Sequence, residues 1–199
     1  MPKRNNGAMF IGGYTKSNVH EREINDFYAT PPNTTKSLLD VLDVEPKTIL
    51  EPSAGMGHIV EVLKEYYPNA KIEATDLIDR GYCKGNVDYL TKVYDKKYDL
   101  IITNPPFKYA KEFVQKSLEL TNDKVAMLLK IQFLESKSRK EFLKHSHLKY
   151  VYVFSERQNT LKNGEEINPL TGKKWSSVFL LAWFVFEKGY EGEPIIRWL

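Results

Sequence analysis

The 199-residue chain has little that would staple, ligate or anchor it. A single cysteine, Cys83, excludes an internal disulfide and any cysteine-rich zinc site, and fits a reducing compartment such as the cytoplasm. Histidines are few: His145 and His147 lie two apart with no thiol or carboxylate cluster beside them, so no metal site is expected. No window reaches the length of a membrane span, and the N-terminus lacks the continuous apolar stretch of a signal peptide. There is no internal repeat or low-complexity tract. What remains, 42% hydrophobic and 28% charged residues, is the composition of a soluble globular protein of one domain with a real core and no membrane partner.

The net charge of +3 is unevenly placed. Through Arg22 the chain carries Lys3, Arg4, Lys16 and Arg22 against Glu21 alone, which is the whole excess. Residues 1–24 therefore read as a basic, mobile arm rich in Asn and Gly, suited to following a phosphate backbone. Residues 25–199 read as one domain.

Periodicity divides that domain into alternating elements. A helix is expected over Thr34 to Leu42 with Asn33 as its cap, and strands over Thr48 to Glu51, Lys71 to Thr75, near Asn86, and over Tyr98 to Thr103, Lys124 to Lys130 and Leu148 to Phe154. Further helices are expected at His58 to Tyr66, Tyr109 to Leu120 and Ser136 to His145, and a last strand at Val178 to Glu187. Strands alternating with helices imply an α/β fold, a mostly parallel sheet with helices on both faces. The segment 155–177 holds Asn163-Gly164 and Pro169 to Gly172, which are turn signals, and reads as an unusually long loop.

Glycine is sparse where it would decide between cofactors. Glu51-Pro52-Ser53-Ala54-Gly55-Met56-Gly57 runs from the first predicted strand into the first helix of the sheet, giving a tight turn and a close approach for a ligand. Val60 stands where a dinucleotide-binding fingerprint has its third glycine, which argues against a pyrophosphate at this helix N-terminus. Glu51 suits a cationic sulfonium or α-amino group. Asp76 closes the next strand, where a carboxylate can accept from both hydroxyls of a ribose, and Leu77 follows to pack on an adenine face. Asp88 and Tyr89 fall where an acceptor for an adenine amino group and an aromatic wall would complete a nucleoside pocket.

At the end of the strongly apolar Tyr98–Thr103 stretch stands Asn104-Pro105-Pro106-Phe107. Two consecutive prolines remove two backbone donors and fix φ, so the preceding Asn presents its amide and a row of carbonyls rigidly at a strand end.

Together, Phe27-Tyr28-Ala29-Thr30-Pro31, Glu51 to Gly57, Asp76, Asp88-Tyr89 and Asn104 to Phe107 match in order the motifs of S-adenosylmethionine-dependent adenine-N6 DNA methyltransferases. The order resembles the gamma arrangement, and the chain is similar to compact methylases of phages and prophages, which share an Asp-Arg-Gly-Tyr stretch like Asp79 to Tyr82. The likeness extends through Phe133-Leu134-Glu135 and Ala182 to Gly189. It implies a Rossmann-like class I methyltransferase domain with a seven-stranded sheet. It also implies S-adenosylmethionine as cofactor, held by Tyr28, Thr30, Pro31, Glu51, Pro52, Ser53, Ala54, Gly55, Gly57, Asp76, Leu77, Asp88 and Tyr89. The catalytic group implied is Asn104, Pro105, Pro106 and Phe107. In this resemblance the Asn104 side-chain oxygen and the Pro105 carbonyl accept the two N–H bonds of the target amine, and Phe107 stacks on an extruded base. Related restriction-type enzymes carry a large target-recognition domain after this core. Its lack here leaves the arm and the long loop as readers, with Lys108, Lys137, Arg139, Lys162, Lys173, Lys174 and Trp175 as a nucleic-acid rim. DNA is favoured over RNA; an amino methyltransferase acting on RNA and a non-catalytic binding module are the alternatives.

Overall fold

The computed structural model describes residues 28–158, 161–162, 167, 172 and 180–199. The elements are β1 (Tyr28–Ala29), α1 (Pro32–Leu39), β2 (Thr48–Glu51), α2 (His58–Tyr66), β3 (Lys71–Ala74), β4 (Tyr98–Thr103), α3 (Ala110–Leu120), β5 (Thr121–Lys130), α4 (Lys137–Lys144), β6 (Leu148–Val153), β7 (Leu161–Lys162), β8 (Leu181–Glu187) and β9 (Ile195–Trp198). Single 3-10 turns, Phe107–Tyr109 and Ile131–Leu134, precede α3 and follow β5. No helix among the described residues is long and apolar enough to cross a membrane.

Seven strands form one sheet in the order β3-β2-β4-β5-β8-β6-β9. The pairings of β2 with β3 and β4, of β4 with β5 and of β6 with β9 are parallel; β8 runs antiparallel to both β5 and β6. The sheet is thus mostly parallel and mixed rather than purely parallel. The chain steps outward from β2 to β3 and returns to β4 on the other side of β2, so the order reverses beside β2. At such a reversal the loops leaving adjacent strands diverge and open a crevice beyond the carboxyl ends of the strands.

Residue alternation assigns the two faces of the sheet. Ile49, Leu100, Ile102, Ala126, Leu128, Trp183 and Val185 pack with Leu38 and Leu39 of α1 and Ile59, Val62 and Leu63 of α2. Leu50, Ile101, Val125, Met127, Phe184 and Phe186 face the other way, against Ala110, Phe113 and Val114 of α3. Because both faces are covered, β4 reads as a continuous apolar run rather than an alternating one. The Trp183 indole N–H reaches the Thr34 carbonyl at 2.9 Å, fastening α1 to the centre of the sheet.

Several sequence expectations need correction. The first helix begins at Pro32, whose fixed φ suits a first helical position, and Asn33 is not its cap; Pro31 holds that place with no side-chain bond. Leu42 lies beyond the helix yet is buried. No strand forms near Asn86, which sits at φ 56°. The chain there is irregular, tied by an isolated bridge from Thr75 to Lys84 and by the Val87 amide on the Asp76 carbonyl. The sheet also ends later than expected, at β9, which pairs with β6. Within the long loop, β7 pairs antiparallel with β1, Ala29 opposite Leu161. The basic arm lies outside the described residues.

Candidate active site

Loops leaving β2, β3 and β4 enclose a cavity of about 390 Å³. Pro52, Ser53 and Ala54 line it from β2, Asp76 and Leu77 from β3, Asp88 and Tyr89 from the following loop, and Asn104 through Phe107 from β4. Thr30, one residue past β1, closes the side next to Asn104: the Asn104 Nδ2 donates to Thr30 Oγ1 at 3.1 Å. That bond fixes the amide so that its Oδ1, the acceptor end, is the other end.

Of the remaining expected cofactor residues, Pro31, Glu51, Gly55 and Gly57 do not line the cavity. Pro31 caps α1 and its carbonyl accepts from the Thr34 amide. Gly55, at φ 56°, donates its N–H to Asp76 Oδ2 at 2.8 Å. Gly57, at φ 85°, is required by a neighbour: a Cβ there would collide with the Tyr82 ring, whose hydroxyl donates to Glu61 at 2.6 Å. The space that a side chain at position 57 would need is thus filled by Tyr82. Of Tyr28 only the backbone pairing in β1 is described.

Glu51 is wholly buried. Its Oε1 accepts from Thr103 Oγ1 at 2.5 Å and from the Ser53 amide at 3.1 Å, while Oε2 has no hydrogen-bond partner among the described residues. Burial pushes its pKa up to about 8; the bonds from Thr103 and Ser53 oppose this, and the negative Asp76 nearby adds to it. A buried acceptor without a donor is costly unless a ligand supplies one, and a cationic donor would also draw the carboxyl to its charged form.

Asp76 is buried and heavily engaged. Besides Gly55, its Oδ1 accepts from the Ile78 amide at 2.8 Å and from Arg80 Nη1 at 2.9 Å. Asp88 is exposed and turns its Oδ1 onto the Leu90 amide at 2.9 Å. Leu77 is about half exposed and presents an apolar surface to the cavity. Tyr89 touches the cavity but is chiefly a core residue: its hydroxyl bonds Ser117 at 2.7 Å and its ring packs on Phe113 with centroids 4.9 Å apart. Burial holds its phenol well above the usual range.

After Asn104 in the chain several cations lie over aromatic rings. Lys130 Nζ lies 4.6 Å from the centroid of Phe107, Lys108 5.1 Å from Tyr109, Lys111 5.6 Å from Phe142, and the Arg139 guanidinium 5.6 Å from Phe133. Arg139 also donates to the Gln132 carbonyl at 2.7 Å, and the exposed Lys137 opens α4. Phe107 lines the cavity and packs partly into the core on the α1–α2 side. The Lys162 side chain, Lys173, Lys174 and Trp175 lie outside the described residues.

Sequence reasoning gave no role to His58, Arg80, Tyr109 or Phe113, all of which line the cavity. His58 opens α2, directly after Gly57, and burial lowers its pKa so that the neutral ring is favoured. Arg80 had a signal, its place in the Asp79 to Tyr82 stretch. Phe113 could be read only as a helix-core residue.

No family model matches the chain. Among curated proteins it is 31% identical over 97 residues to the type II methyltransferase M.CvrRI of Paramecium bursaria Chlorella virus XZ-6E, covering 44% of this chain and 26% of that protein. It is 28% identical over 149 residues to a malonyl-[acyl-carrier protein] O-methyltransferase of Acetivibrio thermocellus, covering 67% of this chain and 50% of the relative. The chain therefore spans about a quarter and a half of the lengths of these two proteins. Among solved structures, a proposed RNA methyltransferase from Pyrococcus horikoshii superposes with a TM-score of 0.59 at 16% identity, over 82% of this chain and 87% of that one. The methyltransferase subunit of a type I restriction-modification system from Streptococcus thermophilus gives 0.60 at 12% identity, over 81% and 45%. The fold is that of the class I methyltransferases, and S-adenosylmethionine is the methyl donor these similarities imply. Asp76, two residues past β3, lines the cavity, and Glu51 Oε2, without a donor among the described residues, is buried behind Ser53 of the lining; both suit the donor groups of an amino acid joined to a nucleoside.

Proposed function

We propose that this chain transfers a methyl group from S-adenosylmethionine to the exocyclic amine of a nucleic-acid base, with adenine N6 in DNA as the favoured target. The observation that carries the reading is that Asn104-Pro105-Pro106-Phe107, at the end of β4, opens onto the same cavity as Pro52 to Ala54 and Asp76. Cofactor wall and target motif thereby share one space. The match to a type II methyltransferase supports DNA over RNA.

In this reading the donor supplies a methyl group activated by a sulfonium. Glu51 faces the ammonium of its amino acid, Asp76 the ribose, Leu77 the adenine face and Asp88 the adenine amino group. The target amine is a poor nucleophile because its lone pair is delocalised into the ring. Asn104 Oδ1 and the Pro105 carbonyl accept its two N–H bonds and orient the lone pair for in-line attack. Methyl transfer would leave S-adenosylhomocysteine and a positive charge on nitrogen, which these two carbonyl dipoles would stabilise until the excess proton passed to solvent. Phe107 and Tyr109 offer aromatic faces to a base rotated out of its stack, and Lys108, Lys130, Lys137 and Arg139 supply cations for phosphates. No covalent enzyme intermediate is required.

The test is to incubate the protein with labelled S-adenosylmethionine and mixed DNA and RNA, then to identify the methylated nucleoside. N6-methyladenine in DNA is expected. Label in RNA alone would move the reading to an RNA amino methyltransferase, and cofactor binding without transfer to either would make the chain a binding module.

A further inference from the structure

The carboxylate assigned above to the ribose is nearly saturated by the protein itself. A carboxylate offers about four acceptor positions. Three on Asp76 are taken: Gly55 N–H on Oδ2 at 2.8 Å, and Ile78 N–H at 2.8 Å with Arg80 Nη1 at 2.9 Å on Oδ1. A ribose brings two hydroxyl donors, and one position is left for them. Two of the three resident donors are main-chain amides in turns that shape the cavity, so they cannot leave without unfolding those turns. Arg80 is different: it reaches Asp76 through its side chain, so it can withdraw without moving the main chain.

The surrounding loop supports rotation rather than loop opening. Asp79 Oδ1 accepts the Gly81 amide at 3.0 Å, and Gly85 packs so closely on Asp79 that a Cβ would collide with it. Tyr82 lies on Gly57 and bonds Glu61 on α2. The backbone carrying Arg80 is thus pinned on both sides, while its guanidinium, about one-fifth exposed, lies in the cavity wall over Asp76.

Resting on the nucleoside reading of this cavity, we infer that Arg80 is a latch on the ribose-binding carboxylate: its guanidinium and the second hydroxyl of a ribose compete for Asp76, and full engagement of the diol requires Arg80 to swing aside. The latch sets cofactor affinity below what the pocket could reach, because the fraction of molecules with Arg80 withdrawn scales the observed dissociation constant. It also makes Arg80 a positioning residue, acting on the nucleoside through Asp76.

Calorimetric titration with S-adenosylhomocysteine and its 2′-deoxy and 3′-deoxy analogues tests this, on the wild-type chain and on Arg80→Met. The variant should bind the full ribose about tenfold more tightly, the scale of one charge-assisted hydrogen bond no longer in competition. Removing one hydroxyl should cost the wild type little, since the second hydroxyl's gain is offset by displacing Arg80, but should cost Arg80→Met about tenfold. A merely structural role would move all three ligands by one factor. Arg80→Gln, which keeps a neutral donor, should show the same pattern to a smaller degree and stands in if the Met variant fails to fold by circular dichroism. Equal or weaker binding of S-adenosylhomocysteine by the folded variants, or an unchanged hydroxyl dependence, overturns the latch while leaving the pocket assignment standing. Failure of every protein to bind any of the three ligands overturns both.

Discussion

The two walls of the cavity are built on opposite principles. The wall assigned to the cofactor is acidic and held by internal hydrogen bonds: Glu51, behind the lining, accepts from Thr103 and Ser53, and Asp76 from two amides and Arg80. The wall assigned to the target is aromatic and more open, with Tyr109 exposed, Phe107 and Asn104 half-buried, and the exposed Lys108 lying over Tyr109 outside the lining. A small ligand of fixed shape rewards preorganisation, because every group held in place beforehand is entropy not lost on binding. A polymer drawn by its phosphates is better met by solvated cations on a surface it can slide over, with stacking faces that accept any base.

Substitutions on the two walls should therefore separate cleanly. Asn104→Ala is expected to lower the single-turnover rate of methyl transfer by about 10²- to 10³-fold, the scale of losing one preorganised transition-state group. Its affinity for S-adenosylmethionine should stay near that of the wild type by calorimetry. Near-normal transfer by this variant would leave the target wall without its central residue.

On the cofactor wall the largest effect is one of pH. With a pKa of about 8, Glu51 is mostly protonated at pH 6, and a cation beside Oε2 must first draw that proton off. Affinity for S-adenosylmethionine should rise by up to about tenfold per pH unit between 6 and 8 and level off above. Glu51→Gln should bind weakly with a flat profile. The sign for stability is opposite. The folded-state pKa is raised, so the contribution of Glu51 to folding is full below about pH 4.5 and is lost as pH rises through 8. Relative to the wild type, Glu51→Gln should gain stability in alkaline buffer, read as the difference in melting temperature across that range.

Asp76→Ala is expected to weaken cofactor binding roughly tenfold by calorimetry. The structure adds a cost invisible from sequence: the variant strands the Gly55 and Ile78 amides, so it should also lose about 1–3 kcal/mol in denaturant unfolding. The smallest effect is expected beside the open wall, where Lys108→Ala should reduce DNA affinity only a few-fold and less so as salt rises, with the slope of log affinity against log salt falling by about one. A salt-independent loss there would contradict the division between an internally bonded wall and an open one.

Local pattern carried much of this organisation. β2, α2 and β4 match their expected ranges because each is a short apolar signal bounded by turn residues, and α4 starts after Ser136, whose hydroxyl accepts the Arg139 amide as a cap. Asn104 to Phe107 and Pro52 to Ala54 could be located at strand ends for the same reason: prolines and glycines punctuate the chain wherever they occur. Elsewhere the decisive partner was distant. β9 is four exposed residues after a proline and becomes a strand only because β6 offers it an edge. The stretch around Asn86 has strand-like neighbours but follows Asp76, whose carbonyl and carboxylate claim the nearby amides.

By itself, then, the order of residues determined the alternating elements, the charges and the position of the motif after β4, since these depend on periodicity and on backbone restrictions a few residues long. Tertiary structure alone decided that Tyr82 packs on Gly57, that Tyr89 turns its hydroxyl to Ser117, that Glu51 lies buried with one oxygen lacking a donor among the described residues, and that Arg80 sits on Asp76. Each of these is a matter of burial or of a hydrogen bond whose partner folding brings into place, and such pairings are set by packing rather than by sequence pattern.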